Sequence, residues 1–261
     1  MKKYYIVLLL LAVFAMARAQ EAQKTDEVAF QAGEQITYKL KYGIFSAAEA
    51  VIKVENSAQK FDGKPALRIY STATTLGTFN LLFKVRNQYQ TFIDPHTLLP
   101  YYYSEERKEG GYKHSDKVIF DHDKGEITAN SGKYPFSGSV FDFLSAYYFA
   151  RNVDVSGLKI NDKLDMRYFL EDGIHTLTIT YLGKEQVKCG LGTFNCLKFN
   201  PTIIPGRIFR KNSKLYLWIT DDKNRIPVKA HVELIVGSLV MDLTQASGLK
   251  YALNPVKKND D

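Results

Sequence analysis

The chain has 261 residues, with 35 lysines and arginines against 28 acids and a formal net charge of +7. No run of five or six like charges occurs, which argues against a nucleic-acid partner. Hydrophobic residues make up 45% of the chain, including 17 Tyr and 16 Phe. That is ample core material, and tyrosine suits strands, where the ring packs and the hydroxyl reaches water.

At the start, Lys2 and Lys3 precede an unbroken apolar run from Ile6 to Phe14, followed by Ala17-Arg18-Ala19. Basic, apolar and small-residue segments in that order predict a signal peptide over 1–19, cleaved before Gln20. The apolar run is shorter than the roughly 20 residues of a membrane-spanning helix. The two cysteines, Cys189 and Cys196, lie far from this point, so a lipid-anchored form is not expected and the mature protein should be free.

From residue 35 onward, apolar and polar residues alternate. Gln35–Tyr42 has the period of two that leaves one strand face buried. Similar runs follow at 48–54, 66–74, 85–93, 99–107 and 113–120, then at 163–170, 175–182, 194–199, 214–219, 228–235 and 239–243. Asp62-Gly63, Asp123-Lys124-Gly125, Glu171-Asp172-Gly173 and Val236-Gly237-Ser238 are turn signals between them. Short strands joined by such turns predict one all-β domain over 20–261: an antiparallel barrel or strongly curved β-sandwich. Between the N-terminal strands (about 34–130) and the C-terminal strands (about 163–253), Val140, Phe143, Leu144, Tyr147 and Tyr148 recur at helical spacing. They predict a single packed helix at about 140–151, with a serine of 136–139 as its cap, Asp142 in its first turn and Arg151 in its last.

Few constellations carry chemistry. Cys189 and Cys196 flank a hairpin turn, and an oxidising compartment would permit a disulfide. A four-residue loop sets Cys189 opposite Phe194, so bonding requires a slipped register; two free buried thiols are the alternative. The histidines His96, His114, His122, His175 and His231 show no metal-binding spacing, and no metal or cofactor is expected. There is no G-x-S-x-G elbow, and the adjacent Glu105 and Glu106 point to opposite faces of a strand, where they cannot flank one glycosidic bond. Trp218, Asp221, Asp222 and Arg225 form the densest polar cluster: an Asx-type turn, or a rim site with Trp218 as stacking platform. Arg86, Arg107, Arg167 and Arg207 alternate with aromatics. They are either solvated faces or, if they converge, a cavity for an anionic headgroup or acidic glycan.

Three stretches carry a family resemblance. Phe30-Gln31-Ala32-Gly33-Glu34-Gln35-Ile36-Thr37-Tyr38, with Tyr42-Gly43 and Ala47-Ala48-Glu49-Ala50 after it, resembles the opening of the domain of unknown function 3108 family. Leu191-Gly192-Thr193-Phe194-Asn195-Cys196-Leu197-Lys198 resembles its glycine–threonine–phenylalanine hairpin. The segment Leu217-Trp218 through Pro227-Val228, followed by Gly237-Ser238, resembles its tryptophan–aspartate–arginine–proline segment. The resemblance implies an exported bacterial envelope protein with a YmcC-like barrel fold and brings no catalytic residues. The function expected is non-enzymatic, in the periplasm or at the outer membrane: binding a lipid or glycan, or scaffolding envelope assembly with a protein partner. A periplasmic glycan hydrolase and a purely structural partner of outer-membrane machinery are the rivals. Facing carboxylates in a cavity would favour the hydrolase, an apolar cavity rimmed by arginine the carrier, and a large exposed apolar patch the structural partner.

Overall fold

The computed structural model describes residues 20–21, 27–171, 173–202 and 214–257; the predicted signal peptide and Arg207 lie outside the described residues. Two antiparallel meanders build one sheet of 15 strands. The first contains β2 (Gln35–Tyr42), β3 (Phe45–Asn56), β4 (Leu67–Thr75), β5 (Arg86–Ile93), β6 (Pro100–Glu109), β7 (Tyr112–Asp121), β8 (Glu126–Ala129) and β9 (Gly132–Pro135). The second contains β10 (Lys163–Leu170), β11 (Gly173–Cys189), β12 (Gly192–Pro201), β13 (Leu215–Thr220), β14 (Pro227–Glu233) and β15 (Ser238–Ser247). The last strand lies beside the first long one, pairing Leu239 with Tyr42 and Ser247 with Gln35, so β15 joins the meanders. A two-residue strand β1 (Gln20–Glu21) adds a parallel pair on β10.

The ladder is not closed, and the architecture is a curved sheet rather than a continuous barrel. Its seam is covered by the coil after β9, which runs along β10. Phe141 N–H donates to Arg167 O at 3.0 Å and Phe169 N–H to Phe141 O at 2.8 Å. Arg167 itself donates to the backbone carbonyls of Ser137 and Ser139.

Among the described residues two helices interrupt the strands, one more than predicted. A short α1 (Gly77–Leu82) links β4 to β5, and α2 (Phe143–Ala150) follows the seam coil. The cap of α2 is Asp142 rather than a preceding serine. Its carboxylate accepts from Leu144 N–H and Ser145 N–H, while Ser145 Oγ accepts from Asp142 N–H, a reciprocal capping box. Leu144, Ala146, Tyr148 and Phe149 enter the main core with Ile36, Tyr38, Ile69 and Leu243, so the helix plugs the concave side of the sheet.

Arg151, expected in the last turn, is the C-cap of α2 and only 1% exposed. Its guanidinium forks onto Glu34, Nη1 to Oε1 at 2.5 Å and Nη2 to Oε2 at 2.9 Å. The Tyr148 hydroxyl donates to the same carboxylate, and Arg151 Nε to Asn224 O. Asn152 accepts from Ala29 N–H, and Asn224 exchanges hydrogen bonds with the Tyr251 backbone. This buried network ties the N-terminal coil, α2, the β13–β14 turn and the C-terminal coil together.

Candidate functional site

An apolar cavity of about 50 Å³ lies between the inner face of β10–β13 and the coil after α2. Val153, Val155, Leu164, Met166, Phe199 and Leu217 are among its walls, and Arg225 is the one charged lining residue among the described residues. Burial pulls the Arg225 guanidinium below its ordinary pKa, opposed by Asp154, Asp221 and Asp222. Among the described residues no carboxylate comes within ion-pair distance of it. Its Nη1 reaches only Val153 O, at 3.4 Å.

Local sequence explains that placement. Asp222 Oδ1 accepts from Thr220 Oγ1 at 2.7 Å, Asn224 N–H at 2.9 Å and Arg225 N–H at 3.0 Å, an Asx turn built by the residues that favour one. Asp221 leaves the turn to pair with Lys184 at 2.7 Å. Arg225 closes the turn at φ 48°, a left-handed conformation that costs a residue with a side chain about 1–3 kcal/mol. The turn therefore aims a cation without a carboxylate partner at the mouth of an apolar space.

The other residues singled out do not converge there. Trp218 lies between Leu217 and Ile219, so its ring points away from the cavity those two line. Its indole N–H donates to Glu185, and Lys198 Nζ sits 5.1 Å from the ring centroid, so the stacking face is already taken. Arg86 and Arg107 lie on opposite faces, because Gln88 pairs with Glu106 and Tyr89 with Glu105. Arg86 bonds Asn80 and the Val85 carbonyl beside α1, whereas Arg107 pairs with Glu105 and Glu109. With Arg167 spent on the seam coil, the convergent arginine cavity is not formed among the described residues.

The cysteine hairpin closes on two residues, not four: Cys189 faces Gly192 and Cys196 faces Glu185. Gly192, opposite Cys189, lies four residues from Cys196 along β12, roughly 13 Å at the strand rise and well beyond disulfide reach. Both thiols are free and buried, and burial pushes Cys196 up to about 12. The free-thiol alternative is the one realised.

A second, polar cleft of about 30 Å³ lies where β6 and β7 meet the start of α2. Glu105 lines it and Glu106 faces the opposite groove, as the strand alternation predicts. Its acids other than the exposed Glu171 are internally occupied. Tyr103 Oη donates to Glu105 at 2.8 Å, His114 lies 3.4 Å from the same carboxylate, and Asp142 is consumed by the helix cap and Thr91. For Glu109, burial acts upward, but hydrogen bonds from Arg107 and Asn87 hold its carboxyl below the usual range. Among the described residues, no three His, Cys, Asp or Glu side chains group as metal ligands.

The family model of the protein of unknown function DUF3108 matches residues 37–244. The chain belongs to that family. No curated protein matches it. Among solved structures, this DUF3108 chain is similar to a β-barrel-like protein of domain of unknown function DUF1849 from Brucella abortus. The identity is 10% and the TM-score 0.52, over 88% of this chain and 99% of that one. A protein from Bacteroides fragilis, described as a candidate exported protein with a YmcC-like fold, aligns at 12% identity and TM-score 0.34, over 88% of this chain and 100% of that one. The first likeness establishes the barrel-like fold for this DUF3108 member; a ligand or reaction has to be argued from the site. Among the described residues no helix is long and apolar enough to cross a membrane.

Proposed function

We propose that the protein is exported and acts as a non-enzymatic carrier for a short-chain anionic amphiphile, a few of its apolar carbons in the β10–β13 cavity and its headgroup on Arg225. The supporting observation is that guanidinium, half-buried at the mouth of an otherwise apolar space and lacking an acid partner. A lipid tail suits these walls better than a glycan, whose hydroxyls need polar side chains that the lining lacks. The hydrolase reading loses support because Glu105, Asp116 and Asp142 of the polar cleft each accept hydrogen bonds from protein donors. Export follows from the basic, apolar and small-residue pattern of residues 2–19.

The test is native mass spectrometry of the chain from Gln20, purified from a bacterial periplasm, then titration with the short-chain carboxylate hexanoate. A retained mass that denaturation releases, and saturable binding, are expected. Arg225→Gly suits the left-handed backbone, so the fold should survive; losing the charge-assisted bond should weaken binding about 10- to 100-fold. A bare mass with no saturable binding, or equal binding by the glycine variant, would overturn the carrier.

A further inference from the structure

Antiparallel order puts several strand connections at one end of the molecule. Tyr42 pairs with both Leu239 and Phe45, Ala48 with Thr75, Thr74 with Arg86 and Glu109 with Tyr112. The β14–β15, β2–β3, β4–β5 and β6–β7 connections are therefore neighbours along one rim. Hydrogen bonds tie each to the next: Tyr42 Oη to Val236 O at 3.1 Å, Leu76 N–H to Ala47 O at 2.9 Å, and Gly110 N–H to Lys84 O at 2.8 Å.

This rim carries most of the large apolar side chains that the described fold leaves exposed. Ile44 is 89% exposed at the β2–β3 tip and Val236 71% at the β14–β15 tip. On α1, which buries none of its residues, Leu81 and Leu82 are 86% and 77% exposed. Phe83 and Tyr112 extend the strip, and contiguous apolar exposure of this kind marks an interaction surface.

Charge identifies the occupant. Lys84, Lys108, Lys113 and Lys214 stand exposed at the same end with no carboxylate in ion-pair range among the described residues. Lys108 and Lys113 are direct cross-strand partners, a like-charge pair that repels until an anion sits over it. The connections at the opposite end mix Asp62, Asp94, Asp121, Asp123, Asp154 and Asp222 with Lys60, Lys64, Lys124, Lys159, Lys223 and Arg225, and there Lys64 pairs with Asp123 and Lys124 with Asp121. A second copy seated on the rim by two-fold symmetry would bring these lysine sets together, whereas an anionic surface would neutralise them. Apolar tips beside lysines that have no carboxylate partner among the described residues match the interface of a bilayer with negative headgroups.

We propose that this rim docks the protein on an anionic lipid bilayer, with Ile44, Leu81, Leu82 and Val236 in the acyl boundary and the lysines on headgroup phosphates. No rim residue lines the cavity, so this inference stands apart from the carrier reading.

The experiment is flotation of the chain from Gln20, which contains every strand and helix described, with two kinds of vesicle. One kind is phosphatidylglycerol with phosphatidylethanolamine; the other is phosphatidylcholine alone. Binding to the first only, weakened by high salt, is expected. Leu81→Ser with Leu82→Ser, and separately Lys84→Glu with Lys113→Glu, should lower binding about tenfold or more. All four side chains are exposed, and an unchanged melting temperature would show that the fold persists. No flotation, or equal flotation by folded variants, overturns the proposal. So does a dimer in sedimentation velocity that the serine variant dissolves, which would assign the rim to a second copy.

Discussion

At the residue scale, Asp142 concentrates the conflict between a good cap and a buried charge. Its two oxygens accept from two backbone N–H groups and the Thr91 and Ser145 hydroxyls, yet burial outweighs these bonds and raises its pKa above the ordinary value. An acid with a raised native pKa holds its proton more tightly folded than unfolded. Its contribution is complete below the unfolded range near about 4 and is lost as pH rises through the native value. An asparagine at this position would still cap the helix without ionising, and the hydroxyls of Thr91 and Ser145 can turn to accept from its amide. Asp142→Asn should therefore gain on the parent protein in urea-denaturation stability between pH 4 and pH 7, while Asp142→Ala, which lacks both the cap and the charge, loses about 1–2 kcal/mol near pH 4 and less at pH 7. A parent–asparagine difference that ignores pH would show that the carboxylate is not the costly group.

At the scale of elements, the Glu34–Arg151 fork determines how α2 is held in the sheet. Removing one partner strands a buried charge, so Arg151→Met or Glu34→Leu should each cost about 3–5 kcal/mol in chemical denaturation. Removing both leaves no unpaired charge, and the double variant should be more stable than the summed singles predict by about 2 kcal/mol or more. Strict additivity would mean that the two side chains act separately. None of this pairing is visible in sequence, where Glu34 precedes a strand and Arg151 ends a helical pattern 117 positions later. The elements themselves were far more legible. Gln35–Tyr42 and Lys163–Leu170 coincide with observed strands. In the second, buried Leu164, Met166 and Phe169 stand between more accessible residues. In the first, Ile36, Thr37 and Tyr38 are all buried, and the apolar–polar alternation of the sequence alone marks the strand. The β8–β9 hairpin escaped because four-residue strands give too few alternations, and α1 because Gly77–Leu82 buries none of its residues and so has no apolar face to pattern. Strand β11 runs past the expected end at Leu182 through a bulge between Tyr181 and Gly183. Arg225 was legible as part of a polar turn. Its cavity was not, since the walls come from β10, β11, β12, β13 and the coil after α2.

For the whole molecule, topology places the decisive contact last. Each meander pairs neighbours in sequence, but β15 must find β2 across nearly the full described chain. Closing so long a loop costs entropy before its contacts return any, so this joint should form after the folding transition state. Leu243 reports on it: fully buried on β15 in the main core, and accepting from Gly190 N–H through its carbonyl. Leu243→Ala should destabilise by about 2–5 kcal/mol. If the joint closes late, the loss appears as faster unfolding with a nearly unchanged folding rate. Ile69 is equally buried but sits on β4, between strands contiguous in sequence, where pairing is local and can precede closure. Ile69→Val, at about 0.5–1.5 kcal/mol, should thus slow folding by the larger share of its cost. Stopped-flow refolding and unfolding limbs for the two variants decide between the orders. If Leu243→Ala slows folding in full proportion to its cost, the β15–β2 joint nucleates the sheet, and the meanders grow outward from it.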